Sequence, residues 1–183
     1  MDHRSIARAI PLLPLVLGVT DGILNALTLS AGAIIRGADD GGGITVMLAL
    51  RVGTAALVTS AFTMFVADYA ERRSSLVRAS RQLNMTEPGR LAATQLGRQA
   101  FRESAVAMTV AAGASLAGAA LPLLIGAVPL VPSWTVLALA IGALGVLGWA
   151  LGGLLSAHRL RWAIGMLAGG GVVTVIGVWL QIT

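Results

Sequence analysis

The chain has 183 residues, of which 56% are hydrophobic and only 11% charged, and its mean hydropathy is +0.84. A soluble domain covers itself with about 25% charged residues, so 13 basic and 8 acidic side chains are too few to coat a water-soluble globule of this length. A soluble enzyme, a disordered tail and a disulfide-stapled secreted domain are excluded, and the lack of any cysteine removes thiolate metal sites and cysteine catalysis.

Five charge-poor stretches follow in chain order, at 10–35, 44–70, 104–127, 133–157 and 162–182. Each has about the ~20 residues or more that a helix needs to cross ~30 Å of hydrocarbon. No alternating strand pattern of the kind found in membrane barrels is present. The sequence therefore predicts an all-α, polytopic membrane protein, a single five-helix transmembrane bundle over 1–183. Turn chemistry separates the spans at 37–43 (GADDGGG), 127–133 (AVPLVPS) and 157–161 (AHRLR). The first apolar run is long and interrupted by Asp21, which reads as a retained span rather than a cleaved leader.

The largest hydrophilic segment is 71–103. Its first half continues the second helix, 86–89 (TEPG) breaks it, and Pro88 suits the first turn of a new helix leading into the third span. Leu76, Leu83, Leu91, Leu96 and Phe101 fit two arrangements, one along the membrane surface with arginines toward lipid phosphates, the other a solvated helical hairpin. Both stay open from the sequence.

All 13 basic residues are arginines. Arg4 and Arg8 precede the first span. Arg72, Arg73, Arg78, Arg81, Arg90, Arg98 and Arg102 lie between the second and third, and Arg159 and Arg161 between the last two. These eleven fall on one side of the membrane and Arg36 alone on the other, which predicts a cytoplasmic N-terminus and an external C-terminus. The pI of about 11.5 thus has a topological meaning. With eight scattered aromatics and no aromatic–basic interleaving, nucleic-acid binding is not indicated.

The costly charges are the informative ones. Asp21 lies near mid-membrane, where an ionised carboxylate costs at least ~2.5–3.5 kcal/mol. Gly18, Asp21, Asn25 and Thr28 share one face of the first helix. Ser60, Met64, Asp68 and Glu71 share a face of the second. Ordered by depth, Glu71, Asp68, Met64, Asp21 and Asn25 form a ladder across the membrane. Carboxylates with a thioether suit iron(II) or manganese(II) better than magnesium, and carboxylates that bind a metal must shed protons, which links binding to proton release. The candidate metal ligands are Asp21, Met64, Asp68 and Glu71, and the candidate path residues Asp21, Asn25, Met64 and Asp68. Arg51, within the second span at nearly the depth of Asp21, is either a structural ion-pair partner of Asp21 or a gating charge.

The segments 18–24 (GVTDGIL) and 27–32 (LTLSAG) resemble the first span of the vacuolar iron transporter family, in which an Asp-Gly-Leu is followed by an apolar stretch and Ala-Gly. That family's second span ends in Ser-Met-Ala-x-Gly-Glu-Tyr, and 63–69 (TMFVADY) is similar to it. The segment 118–124 (GAALPLL) is similar to a Gly-Ala-x-x-Pro-Leu segment of the third span. The resemblance implies a homodimer in a bilayer that moves iron(II) or manganese(II) out of the cytosol in exchange for protons, with no permanently bound cofactor. Asp21 and Met64 would line the path, and Asp68 would stand in for the family glutamate. This chain departs from the family in its short, basic second connection, where only Glu71, Met85, Glu87 and Glu103 remain as possible ligands.

Two other classes compete: a non-transporting scaffold or accessory subunit held by an Asp21–Arg51 pair, and an exporter of small organic cations. An enzyme is not expected, because His3 and His158 lie at membrane boundaries and Asp21 and Asp68 at different depths. Gly148-x-x-x-Gly152 and Gly165-x-x-x-Gly169 offer close helix packing, within the bundle or between copies. The arginine-only, Ala/Gly-rich usage points to the plasma membrane of a bacterium with a GC-rich genome.

Overall fold

The computed structural model describes residues 12–40, 45–82, 94–128, 132, 134–155 and 157–179. Five helices account for nearly all of them: α1 (Leu12–Asp40), α2 (Val46–Gln82), α3 (Gln95–Gly126), α4 (Trp134–Leu154) and α5 (Arg159–Trp179). All five are long and apolar enough to cross a membrane. The chain is therefore an all-helical integral membrane protein, with the five spans the sequence predicts. The glycine run 41–43, the break at 86–89, and Arg4, Arg8, Met85, Glu87 and Arg90 lie outside the described residues.

Two helices are longer than the membrane requires. At 1.5 Å per residue, the 37 residues of α2 reach ~55 Å and the 32 of α3 ~48 Å. Thr45 accepts from the Leu48 N–H at the start of α2, and Thr94 caps α3 by accepting from the Leu96 N–H. The overhang of α2 stays packed on the start of α3. Ser80 and Ala100 are buried, and Leu76, Ala79, Leu96 and Ala100 line one cavity between the two helices. In the described part of the connection the two helices therefore pair along their overhang, while 83–93, with Leu83 and Leu91, lie outside the described residues. A triad of rings pins the hairpin one turn inside its charged end. Phe65 stacks on Tyr69 at 5.7 Å, and Phe101 meets both edge-on at 5.4 and 6.0 Å.

The contact pairs define direction. Gly18 and Gly22 of α1 meet Ala111 and Ser115 of α3, and Gly170 and Gly177 of α5 meet Leu27 and Ala31, so α1, α3 and α5 run parallel. α2 is antiparallel to α3, with Arg72 near Glu103 and Gly53 near Leu116 and Ala120. α4 opposes α5, with Gly145 at Leu167 and Gly152 at Arg159. Consequently Arg72, Arg73, Arg78, Arg81, Arg98, Arg102, Arg159 and Arg161 gather at one end of the bundle, called here the basic end.

Helix α1 is central and touches all four others. One cluster joins Ala26, Ala49, Val52, Ala56, Ala119, Leu123 and Val136, and a second joins Ile23 and Leu27 to Ala140 and Leu144. Without a hydrophobic drive between helices in lipid, such packing depends on small residues that let backbones approach. Gly148 and Gly152 do this against α5: a Cβ at Gly148 would lie 2.6 Å from the Trp162 carbonyl oxygen. Gly165 and Gly169 have the same spacing but face open space, so they take no part in packing within the bundle.

A Cβ at Gly22 would overlap the Ser115 carbonyl and lie 2.8 Å from the Ala119 nitrogen. Gly22→Ala is expected to cost about 1–3 kcal/mol as overpacking, whereas Gly165→Ala gains up to ~1 kcal/mol from helix propensity. Thermal unfolding in detergent checks the contrast; equal melting temperatures for the two variants would show that α1 and α3 are not in such close contact.

Candidate functional site

The glycine contact between α1 and α3 places Asp21 beside Ser115. The Ser115 hydroxyl lies 3.0 Å from Asp21 Oδ2 and 3.2 Å from the carbonyl oxygen of Ala56 on α2. Three helices therefore meet at one buried hydroxyl. Its single hydrogen can be donated to the carboxylate or to the carbonyl but not fully to both. Ser115 donates to Asp21 Oδ2, and the Ala56 carbonyl, inside α2, already accepts from its own helix, so neither group lacks a partner. No buried side-chain nitrogen or oxygen among the described residues lacks a partner.

Three of the cavities along α2 hold the residues that the sequence singles out. The middle one, about 250 Å³, is lined by Leu17, Asp21, Thr59, Ser60, Thr63, Met64, Ala67 and Ala111. It brings together the carboxylate and thioether that the sequence singles out. The one farther from the basic end, about 280 Å³, is lined by Asp21, Asn25 and Leu29 of α1 and by Arg51, Val52, Ala55, Ala56 and Thr59 of α2. Asp21 and Thr59 border both, so they stand at the neck between the two. Thr59, Thr63, Ala67 and Arg51 are exposed on the single chain, which places both cavities at an open α1–α2 seam.

The third cavity, about 640 Å³ at the basic end, contains Asp68, Glu71, Arg72, Gln99 and Glu103. Arg72 Nε donates to Asp68 Oδ2 at 2.7 Å, and Ser104 Oγ of α3 donates to the same oxygen at 2.6 Å. The other arm of the Arg72 guanidinium pairs with Glu103, whose second oxygen accepts from Gln99 Nε2 at 2.9 Å. The hydrogen bond to Asp68 pushes the Arg72 guanidinium above its ordinary range, so it stays charged throughout the physiological pH range and the network stands or falls with its carboxylates. It ties the overhang of α2 to α3.

The predicted ladder is thus present in order but divided. Asp21 and Met64 share the middle cavity, Asp21 and Asn25 the far one, and Asp68 and Glu71 the basic-end one. The four candidate ligands are not gathered at one point, and no group of three or more Asp, Glu or His able to hold a metal occurs among the described residues. The α1 stripe divides as well. Gly18 faces Ala111 of α3, and Thr28 bonds to its own backbone at Leu24 and lies toward Gly177 of α5. Arg51 shares a cavity with Asp21, yet the two form no ion pair in this conformation; among the described residues the ion pairs are Arg72–Asp68 and Arg72–Glu103.

Ser115, Ser104, Thr59 and Gln99 are among the polar residues of these sites that the sequence does not single out. The signal for the serines is a run of small residues along α3, Ser104, Ala107, Ala111, Ser115, Gly118 and Ala119, all buried. Comparison of the chain with family models, with curated proteins and with solved structures finds no match.

In a membrane, an interhelical hydrogen bond contributes about 0.6–1.7 kcal/mol. A double-mutant cycle of Asp21→Ala and Ser115→Ala, read by thermal unfolding, is expected to give a coupling in that range. Strict additivity would show that the two side chains do not interact.

Proposed function

We propose that the chain exports divalent transition-metal ions, iron(II) or manganese(II), from the cytosol along the α1–α2 seam in exchange for protons. The observation that carries this reading is the shared middle cavity of Asp21 and Met64, an acid and a thioether on two different helices at membrane depth. A carboxylate there is expensive unless it handles a cation or a proton, and the thioether biases the choice toward softer ions. The Ser115 hydroxyl, 3.0 Å from Asp21 Oδ2, supports proton exchange, because a hydroxyl can donate to an ionised carboxylate and accept from a protonated one. The motifs around Asp21, Met64 and Pro122 agree with the resemblance to vacuolar iron transporters, in which Asp68 takes the position of a glutamate.

On this reading the basic end faces the cytoplasm of a bacterial cell by the positive-inside rule. Ions reach the carboxylates at the basic end first, pass Met64 and Asp21, and leave past Asn25. The exposed polar face of α2, with Arg51, Thr54, Thr59 and Thr63, is covered by a second copy in a homodimer, which closes the seam from lipid.

The test is transport in proteoliposomes. Wild-type protein with an imposed pH gradient is expected to move iron(II) and manganese(II) and to dissipate the gradient as it does so. Asp21→Asn is expected to abolish both, and Met64→Leu to reduce iron(II) and manganese(II) transport more than any magnesium leak. Ser115→Ala, which removes the group orienting Asp21, is expected to weaken metal affinity by about 10–100-fold. A wild type that moves neither ion leaves the scaffold reading in its place. Transport of small organic cations instead identifies the substrate as that class.

A further inference from the structure

Arg51 is the charge in the seam that the hydrogen-bond networks do not use. It lies five residues past the start of α2 at Val46, roughly 8 Å along the helix axis. Among the described residues it forms neither a hydrogen bond nor an ion pair, whereas Arg72 at the other end is held on two sides. A guanidinium is always protonated and offers five donors. Its neighbours in the adjoining groove, Leu50, Thr54, Ala55, Val58 and Thr59, include no acid.

Arg51 and Asp21 are the ionisable groups that line the far cavity; α2 otherwise supplies Val52, Ala55, Ala56 and Thr59, and α1 supplies Asn25 and Leu29. Any cation held by Asp21 on that side shares the cavity with a fixed positive charge. Repulsion scales with the product of the charges and is screened far less here than in water. A dication therefore feels twice the repulsion of a monovalent ion or a proton at the same place. The middle cavity, on the Met64 side of Asp21, contains no arginine.

We infer that Arg51 is a specificity-determining residue of the Asp21 site: its guanidinium lowers the affinity of Asp21 for a divalent cation on the far side and promotes release there. This rests on the reading of Asp21 as a cation site. It assigns Arg51 an electrostatic role, distinct from a structural pair, and makes the far cavity the side of low affinity. Mere passage past Asp21 requires no such charge. A cavity of Asp21, Asn25 and Thr59 alone would retain a dication, and export would stall at its last step.

The test is equilibrium manganese(II) binding to the purified full-length protein in nanodiscs, read by electron paramagnetic resonance. Arg51→Gln is expected to bind manganese(II) about tenfold or more tightly than wild type, and Arg51→Lys, which keeps the charge, to bind like wild type. Asp21→Asn combined with Arg51→Gln is expected to lose the gain. In proteoliposomes that move manganese(II), Arg51→Gln is expected to turn over more slowly at saturating ion, because release is slowed. Equal affinity in wild type and Arg51→Gln overturns the inference while leaving the export reading standing. Weaker binding by Arg51→Gln with a lowered melting temperature overturns it in favour of a structural role. Absence of manganese(II) binding in both wild type and Arg51→Gln overturns the inference together with the reading of Asp21 as a cation site.

Discussion

The contact between the backbones of α1 and α3 governs the rest of the molecule. Gly18 and Gly22 lie against Ala111 and Ser115, and Gly118 lies against Val19 and Ile23. Helices with ordinary side chains between them pack with axes 8–10 Å apart; here no side chain intervenes. That closeness lets a short serine hydroxyl on α3 reach a short carboxylate on α1 at 3.0 Å. The other flank of α3 holds α2, through Gly53 against Leu116 and through Ser115 at the Ala56 carbonyl. Because both α1 and α2 are held chiefly by α3 rather than by each other, a seam is left between them. The cavities containing Asp21 lie in that seam. Substituting the glycines would therefore disturb the site before any of its polar residues were touched.

The parts of this architecture that were legible in the sequence share one cause, the cost of placing charge in hydrocarbon. That cost spaces the five spans, collects the arginines at one end, and makes Asp21 conspicuous. Helical periodicity then puts Met64 on the same face as Ser60 and Asp68, correctly. Which faces meet is a different matter, since it depends on pairings far apart in the chain. Glu103 joins Arg72 across 31 positions and Ser115 joins Asp21 across 94, and no local pattern encodes either. The serines of α3 are hidden among alanines and glycines whose small size has its own packing reason. The glycine motifs of α4 and α5 show the same limit. Their spacing is identical, yet Gly148 and Gly152 are packed while Gly165 and Gly169 face outward.

The division of the ladder follows from the hairpin. The stripe of Ser60, Met64, Asp68 and Glu71 along one face of α2 looks continuous when only that helix is considered. Arg72, one turn beyond Asp68 on the same helix, bends back onto it, and α3 adds Ser104 and Glu103 around the same group. Asp68 is thereby committed to joining two helices. Any cation that uses it must compete with a guanidinium already in place. The basic end is therefore less a concentrator of cations than a neutralised threshold, consistent with the many arginines around it. Met64 and Asp21 lie beyond that threshold without an arginine in their cavity.

The exposed face of α2 limits what can surround the seam. Thr54 turns its hydroxyl back to the Leu50 carbonyl at 2.7 Å, and a threonine satisfied in this way is tolerated in lipid. Arg51 has no such recourse, because five donors on a rigid fork exceed what its own helix can accept. A guanidinium at this depth requires water or another polar surface, and hydrocarbon supplies neither. Five residues from the start of α2, the long Arg51 side chain meets this need by reaching up to the interface, or through a seam that is wet or covered by protein. A wet seam and a protein-covered seam both keep lipid away from Asp21.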